Sequence, residues 1–245
     1  MKCVVLTLFP KEMKAYFLKG IMKKAYEAGH FDIRFKDLRE YAQDPFRKVD
    51  DYPFGGRRGL ILRADVIVRA VKSIEQYGQY RLLYACPKGP VFNADHVMQF
   101  KNESKGLIFI CGYYEGLDER VFEFLPVERF SLGSFVLSSG ELPVLAMLDA
   151  VMRTLPGVLG NPDCVEDDSL YGGLLEHPQY TYPQVIETQS VPPVVLSGHH
   201  EKIAQWKRVQ SLEQSLWMKP DLFDGQSLSL NDQRQLTEIL QGEKQ

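Results

Sequence analysis

"GLIFICGYYEGLDER", Gly106 to Arg120, is the stretch on which the fold turns. It begins as a short unbroken apolar run, of the kind that forms a strand covered on both faces. It continues as a glycine-bearing loop with a concentrated set of charges. A buried strand ending in a glycine loop is the repeating unit of a parallel α/β sheet, in which ligands sit beyond the C-terminal ends of the strands.

The same unit recurs on both sides. "KCVVLTLF" from Lys2 and "RLLYA" from Arg81 read as buried strands, and "FDIRFKD" from Phe31 alternates like a half-buried one. Between them the pattern predicts a helix from about Lys11 to Gly29, a second from about Ala64 to Tyr77 and a third near Asn93 to Phe100. The segment from Glu141 to Leu155 is apolar nearly all the way round, which predicts a helix buried on every side, in the core or against a second subunit. Beyond its first turn its only charges, Asp149 and Arg153, are spaced as an i,i+4 ion pair would be.

With 245 residues and 44% apolar content the chain can bury a real core. No apolar run reaches the roughly 18 to 20 residues of a membrane span, and the N-terminus lacks a signal-peptide pattern, so a soluble, cytoplasmic chain is expected. Cys3, Cys86, Cys111 and Cys164 form no CxxC pair, and His199 and His200 have no metal-ligand spacing. No metal site is assigned, and the residues leave a divalent-ion requirement open.

The net charge of −3 argues against indiscriminate nucleic-acid binding, but the basic residues are unevenly placed. Between Arg34 and Arg63 they alternate with Phe35, Tyr41, Phe46, Tyr52 and Phe54, as phosphates and unstacked bases require. A solvated face balanced by Asp37, Glu40, Asp44, Asp50 and Asp51 is the other reading. The run from Arg39 to Gly59 is long and rich in proline and glycine, as functional loops are.

Residues 1–160 therefore read as the α/β domain. Residues 161–193, acidic and then rich in proline and tyrosine, read as a flexible linker, and residues 194–245 as a small helical domain. In that last part a helix from about His199 to Leu216 carries Lys202, Lys207 and Arg208, and another begins near Ser229, where Ser229 and Asp232 fit a capping box.

Three glycine-bearing loops are placed at strand ends: "ACPKGP" from Ala85, "CGYYEGLDER" from Cys111 and "GSFVLSSGELP" from Gly133. The third has accessible backbone and no basic residue, so it is not a phosphate cradle of the P-loop type. A Rossmann enzyme would carry its glycine motif after the first strand, and "LTLFPKEM" there has no glycine.

The pieces "LTLFP", "VDDYPFGG", "YYEGLDERV", "VLSSGELP", "LDAVMRTLPGVLG", "DDSLYGGLLEHPQYT" and "VPPVVLSGHHEKIAQWKR", in this order, resemble the bacterial tRNA (guanine-N1-)-methyltransferase family of TrmD type over essentially the whole chain. The resemblance implies a SPOUT fold, an α/β domain with a mainly parallel sheet and a C-terminal trefoil knot. No periodicity argument proposes a knot, because knotted chains are rare exceptions to the rules of connection. It also implies a homodimer with the active site shared between subunits, S-adenosylmethionine as cofactor, and N1 of the guanine at tRNA position 37 as acceptor. A knotted tRNA-binding protein with little or no turnover, or a methyltransferase for another RNA position, is the alternative.

Carried over residue by residue, the resemblance puts the cofactor on Tyr84, Ala85, Cys86 and Pro87, on Gly112 and Glu115, and on Ser131, Leu132, Gly133, Phe135, Leu137, Ser138, Gly140 and Pro143. Glu115 would receive the cofactor's amino group. Asp168 would be the base that takes the N1 proton, and Arg153 would polarise guanine O6. A carboxylate needs shielding from water to act as a base at neutral pH, so that role requires burial against the RNA. RNA contacts would come from Asp50, Arg57, Arg58, Lys202, Lys207 and Arg208. The chain departs from the family pattern at "GGRRG" (Arg57, Arg58), at Tyr113 where an arginine is usual, at "GSF" (Ser134, Phe135) where "GDY" is usual, and at Tyr182 and His199.

Overall fold

The strand β1 (Lys2–Thr7) is buried from its second residue to its last and lies inside a five-stranded parallel sheet. The computed structural model describes residues 1–56, 58–160, 168–224 and 228–242. Arg57 and Cys164 lie outside the described residues. The sheet order is β2-β1-β6-β5-β7, with β2 (Asp32–Asp37), β5 (Tyr80–Ala85), β6 (Gly106–Ile110) and β7 (Val127–Phe130). In the central strand β6, Leu107 to Ile110 are all buried, as an apolar run without alternation requires.

One sheet face, formed by Val4, Leu6, Leu82, Ile108 and Ile110, packs under helix α3 (Ala64–Lys72) through Val66, Ile67, Ala70 and Val71. Each buried Val or Ile contributes about 1.5–3 kcal/mol relative to exposure. On the other side, helix α1 (Pro10–Phe17) reaches Cys111 with Met13 and packs on helix α6 (Glu141–Met152), which also meets α4 (Ala94–Lys101).

The structure corrects the sequence reading in four places. The expected helix from Lys11 to Gly29 is two helices, α1 and α2 (Gly20–Glu27), because Lys19 is extended and Gly20 turns to φ +50°. A continuous helix would carry the stripe of Met13 and Phe17 on to Gly20, Ile21 and Lys24; the break buries Met22 and Ala25 instead. The next helix ends at Lys72, and Gln76 turns left-handed before β5. Helix α6 is not buried all round within one chain: Leu142, Ala146 and Asp149 leave one exposed stripe, which burial against a second subunit would have to cover. Strand β7, which is four residues long, was not anticipated, nor was the short helix α5 (Val121–Phe124) before it.

The proline- and glycine-rich run is largely irregular, but its ends are held. Strand β3 (Asp50–Asp51) pairs antiparallel with β4 (Ile61–Leu62). The returning arm is then tied to the loop after β6: Glu115 N–H donates to Leu60 O (2.9 Å), Leu62 N–H to Gly116 O (2.9 Å) and Asp118 N–H to Leu62 O (3.0 Å).

The chain divides into two compact units, Met1–Pro162 and Asp163–Gln245. In the second, the stretch that reads as a linker makes defined contacts. Leu174 is buried, Leu175 N–H donates to Ser215 Oγ, and the segment continues through a hairpin of β8 (Val185–Ile186) and β9 (Gln189–Ser190). The helices α7 (Pro193–Leu196), α8 (His200–Met218) and α9 (Leu230–Gln241) follow. Arg208 of α8 holds Asp232 of α9 by two N–H···O bonds of 2.9 Å, and Asp232 also accepts from the Ser229 hydroxyl. The Arg208 guanidinium, outweighing the effect of burial, draws the Asp232 carboxyl down to about 2.

In the first unit the segment leading into α6 crosses the end of β6 at backbone contact. Gly140 N–H donates to Gly112 O at 2.7 Å, and Tyr113 bridges Ser139. A Cβ at Gly140 would lie 2.4 Å from the Gly112 nitrogen, and backbone cannot rotate aside. We expect Gly140→Ala to lower stability by more than about 2 kcal/mol, as overpacking does. Gly78→Ala, whose added Cβ meets nothing within 4 Å, should stay within about 0.5 kcal/mol. Urea unfolding followed by circular dichroism checks this, and equal midpoints for the two variants would contradict the crossing.

A second prediction concerns the α8–α9 clamp. The Asp232 value in the folded chain lies below its ordinary 3.8, so its stabilisation is complete above about pH 4 and fades as pH falls towards 2. Asp232→Asn should cost about 1–3 kcal/mol near neutrality. Hydrogen exchange of the α9 amides should show the gap between wild type and variant narrowing from pH 4 downward. A gap that is independent of pH would rule the clamp out as its source.

Candidate functional site

Neighbouring strands β6, β5 and β7 end side by side, and the three loops that leave them enclose a cleft of about 240 Å³. From β5 come Tyr84 to Lys88, from the loop after β6 Gly112 to Leu117 and Glu119, and from β7 Phe130 to Leu132, with Phe135 to Gly140 and Pro143 closing the rim. Of the sequence-assigned cofactor residues, all but Gly133 line this cleft. Gly133 lies behind the wall, at φ +157°, where an added Cβ would come 2.8 Å from the Phe135 ring.

Close packing decides which residues can form these walls. Tyr84 is buried beneath Gly112 and Gly116, whose added Cβ atoms would lie 2.9 and 3.1 Å from it. Burial raises the Tyr84 phenol well above its usual range, so it stays protonated, and its oxygen meets the Leu117 backbone. The loop from β7 is fixed against that from β5 by Cys86 N–H to Phe130 O (2.8 Å) and Ser131 N–H to Pro90 O (2.8 Å). Ser131 Oγ accepts from Gly133 N–H and donates to Gly133 O, which shapes the turn before the exposed Phe135.

Several lining residues escaped the sequence reading. Arg129 pairs with Glu119 and lies over the Phe122 ring, 3.6 Å from its centroid. All three line the cleft. The pairing follows from β7, and the signal for that strand was only the four residues of "VERF". Tyr114 also lines the cleft; burial first, and then its hydrogen bond with the Asp50 carboxylate, raises its phenol. Asp50, singled out for RNA, thus faces a residue of the cleft. Gly59, at φ +97°, allows Glu115 to lie against the loop backbone, since an added Cβ would sit 2.6 Å from Glu115 Cγ.

The remaining sequence-assigned residues fall in both units. Arg58 is exposed on the loop between β3 and β4. Arg153 is half-buried at the end of α6. In the second unit, Asp168 shares a cleft of about 530 Å³ with His177, Lys207 and Arg208. Lys202 and Lys207 are exposed on α8, whereas Arg208 is taken up by Asp232 and serves the packing of α9. The partner lies 24 residues further on, and the Arg208 side chain stays partly exposed beside it.

Cys3 and Cys111 are fully buried, and burial raises both thiols, Cys3 to about 12 and Cys111 well above its ordinary value, so neither is poised as a nucleophile. Among the described residues no three His, Cys, Asp or Glu side chains gather as metal ligands would. No helix among them is long and apolar enough to cross a membrane.

Known proteins bear out the resemblance. Residues 1–225 match the family model described as tRNA (Guanine-1)-methyltransferase TrmD. A tRNA (guanine-N(1)-)-methyltransferase of Clostridium botulinum (strain Loch Maree / Type A3) is 41% identical over 239 residues, covering 98% of each chain. Proteins of the same name from Staphylococcus haemolyticus and Dictyoglomus turgidum are each 40% identical, over 96% of this chain and 95% of theirs. With its parallel sheet, its glycine-lined cleft and matches over nearly its whole length, the chain belongs to the TrmD family of tRNA (guanine-1)-methyltransferases.

Proposed function

We propose that the chain transfers a methyl group from S-adenosylmethionine to N1 of the guanine at tRNA position 37, beside the anticodon, in the cytoplasm. The observation that carries this reading is the cleft at the ends of β5, β6 and β7, in a chain of this family.

The residues present fit the cofactor. It has no phosphate, and the β7 loop offers backbone groups and small side chains without a cation. Gly112 and Gly140 allow backbone to approach where any side chain would intrude. Arg129 is balanced by Glu119, and the Glu115 carboxylate, which also lines the cleft, would receive the cofactor's ammonium group. When bound, the cofactor supplies an electrophilic methyl group on a sulfonium.

The chain's own residues then have three tasks. The cleft aligns the reacting atoms, from which most of the acceleration can come. Asp168 accepts the guanine N1 proton and Arg153 polarises O6, stabilising negative charge on the ring. In a homodimer whose active site is shared between subunits, Arg153 and Asp168 would act on one guanine. Arg57, Arg58, Asp50, Lys202 and Lys207 hold the RNA. The backbone crossing at Gly112 and Gly140 supports a knotted C-terminal part of the domain.

Labelled methyl from S-adenosylmethionine should appear on an unmodified transcript carrying guanine 37 after guanine 36, mapped to N1, and not on one with adenine at 36. Asp168→Asn should slow transfer by about 10²-fold or more. Glu115→Gln should weaken cofactor binding by about tenfold, the loss of one charge-assisted bond. Bound tRNA with no methyl product would overturn the enzyme reading in favour of an RNA-binding protein.

A further inference from the structure

Ser215 is fully buried in α8, and its hydroxyl is used in both directions. It donates to Ser211 O at 2.7 Å, one turn back, and accepts from Leu175 N–H at 2.8 Å, 40 residues earlier in the chain. A serine inside a helix usually spends its hydroxyl on the turn below, which slightly weakens the helix. Here the same oxygen gives a separate loop its anchor.

That loop runs from Asp168 to Glu176 and closes on itself. Leu170 N–H donates to Leu174 O (2.8 Å), Gly173 N–H to Leu170 O (3.2 Å) and Glu176 N–H to Ser169 Oγ (3.0 Å). Leu170 is held at φ +79°, a left-handed conformation that a γ-branched residue adopts only where its surroundings enforce it. Leu174 is buried beneath it. The loop is thus a preformed unit, and the bond from Leu175 N–H to Ser215 Oγ ties it to α8. Lys207, on the same helix, lines one cleft with Asp168.

We infer that Ser215 is a positioning residue for methyl transfer: its hydroxyl fixes the Asp168 loop on α8, so that the carboxylate and the tRNA-binding face of that helix keep a constant geometry. This rests on the assignment of Asp168 as the base. Ser215 touches neither substrate nor the reacting atoms. Without the acceptor, the Leu175 N–H is left to find water, and the tie that this bond gives the loop on α8 is lost. Misplacement of a reacting group by about 1 Å can cost up to about 10²-fold in rate.

The test uses the full-length protein in single-turnover transfer of labelled methyl, with tRNA and cofactor saturating. Ser215→Ala should slow transfer by about tenfold or more, with tRNA affinity within about twofold and one cooperative unfolding transition. Ser215→Cys, of nearly the same volume with a weaker acceptor, should fall between wild type and alanine. In an Asp168→Asn background, Ser215→Ala should have little further effect, because the hydroxyl acts through that carboxylate. A wild-type rate in Ser215→Ala while Asp168→Asn is slow would overturn the positioning role alone. So would a slowing that multiplies with that of Asp168→Asn, or a loss confined to tRNA affinity. A wild-type rate in Asp168→Asn itself would remove the assignment of the base and this inference with it.

Discussion

Backbone against backbone at Gly112 and Gly140 is the contact on which the rest of the first unit depends. Two chain segments separated by most of the β7 region come within a single N–H···O bond, and neither position has room for a methyl group. The contact sets where α6 begins, because Val144 N–H is already bonded to Gly140 O. It also sets the depth of the cleft, whose floor is the Tyr84 ring packed under Gly112. From Glu141, the first residue of α6, a carboxylate oxygen accepts from the Thr7 hydroxyl at 2.7 Å and ties the helix to the end of β1. Three strand ends and one helix start are thereby fixed within one turn of chain.

A second consequence follows from what is bonded to the same region. The loop after β6 forms one wall of the cleft and is also the partner of the arm that returns from the basic, aromatic loop. Asp50 reaches Tyr114, and Gly59 lies against Glu115. One group assigned to RNA is therefore hydrogen-bonded to a residue of the cleft wall, Tyr114. Under the proposed function, a shift of the β3–β4 loop on RNA would alter the wall carrying Glu115, and cofactor held by Glu115 would in turn restrain the loop. Reciprocity of this kind is a requirement of linkage once both ligands differ in affinity for the same two arrangements.

How much of this was legible depended on the range of the interaction concerned. The buried strands β1, β5 and β6 were plain from unbroken apolar runs, since local sequence and tertiary burial agree there. Strand β7 was not, because four residues carry too little period. The break between α1 and α2 needed the phase of Met13 and Phe17 to be compared with that of Met22 and Ala25, which a search for apolar residues alone passes over. Among site residues, the cleft loops were found through glycine placement and resemblance. The pairing of Arg208 with Asp232 was not legible, because charge is visible in a sequence whereas a partner 24 residues away is not. Ser215 had no sequence signal at all: one serine in a helix acquires meaning only when Leu175 lies against it.

The departures from the family pattern at Tyr113 and Ser134 can be weighed in the same terms. One replaces an expected cation and the other an expected anion, on the two segments that meet at the crossing, so in formal charge they cancel. Tyr113 fills its position by packing, with its ring 5.5 Å from Phe9 and 4.5 Å from Tyr114, while its backbone bridges Ser139. The aromatic contacts and the backbone bridge hold the Tyr113 segment against Ser139 without a charge at that position, so what the two exchanges alter is the placing of charge near the crossing and not its sum.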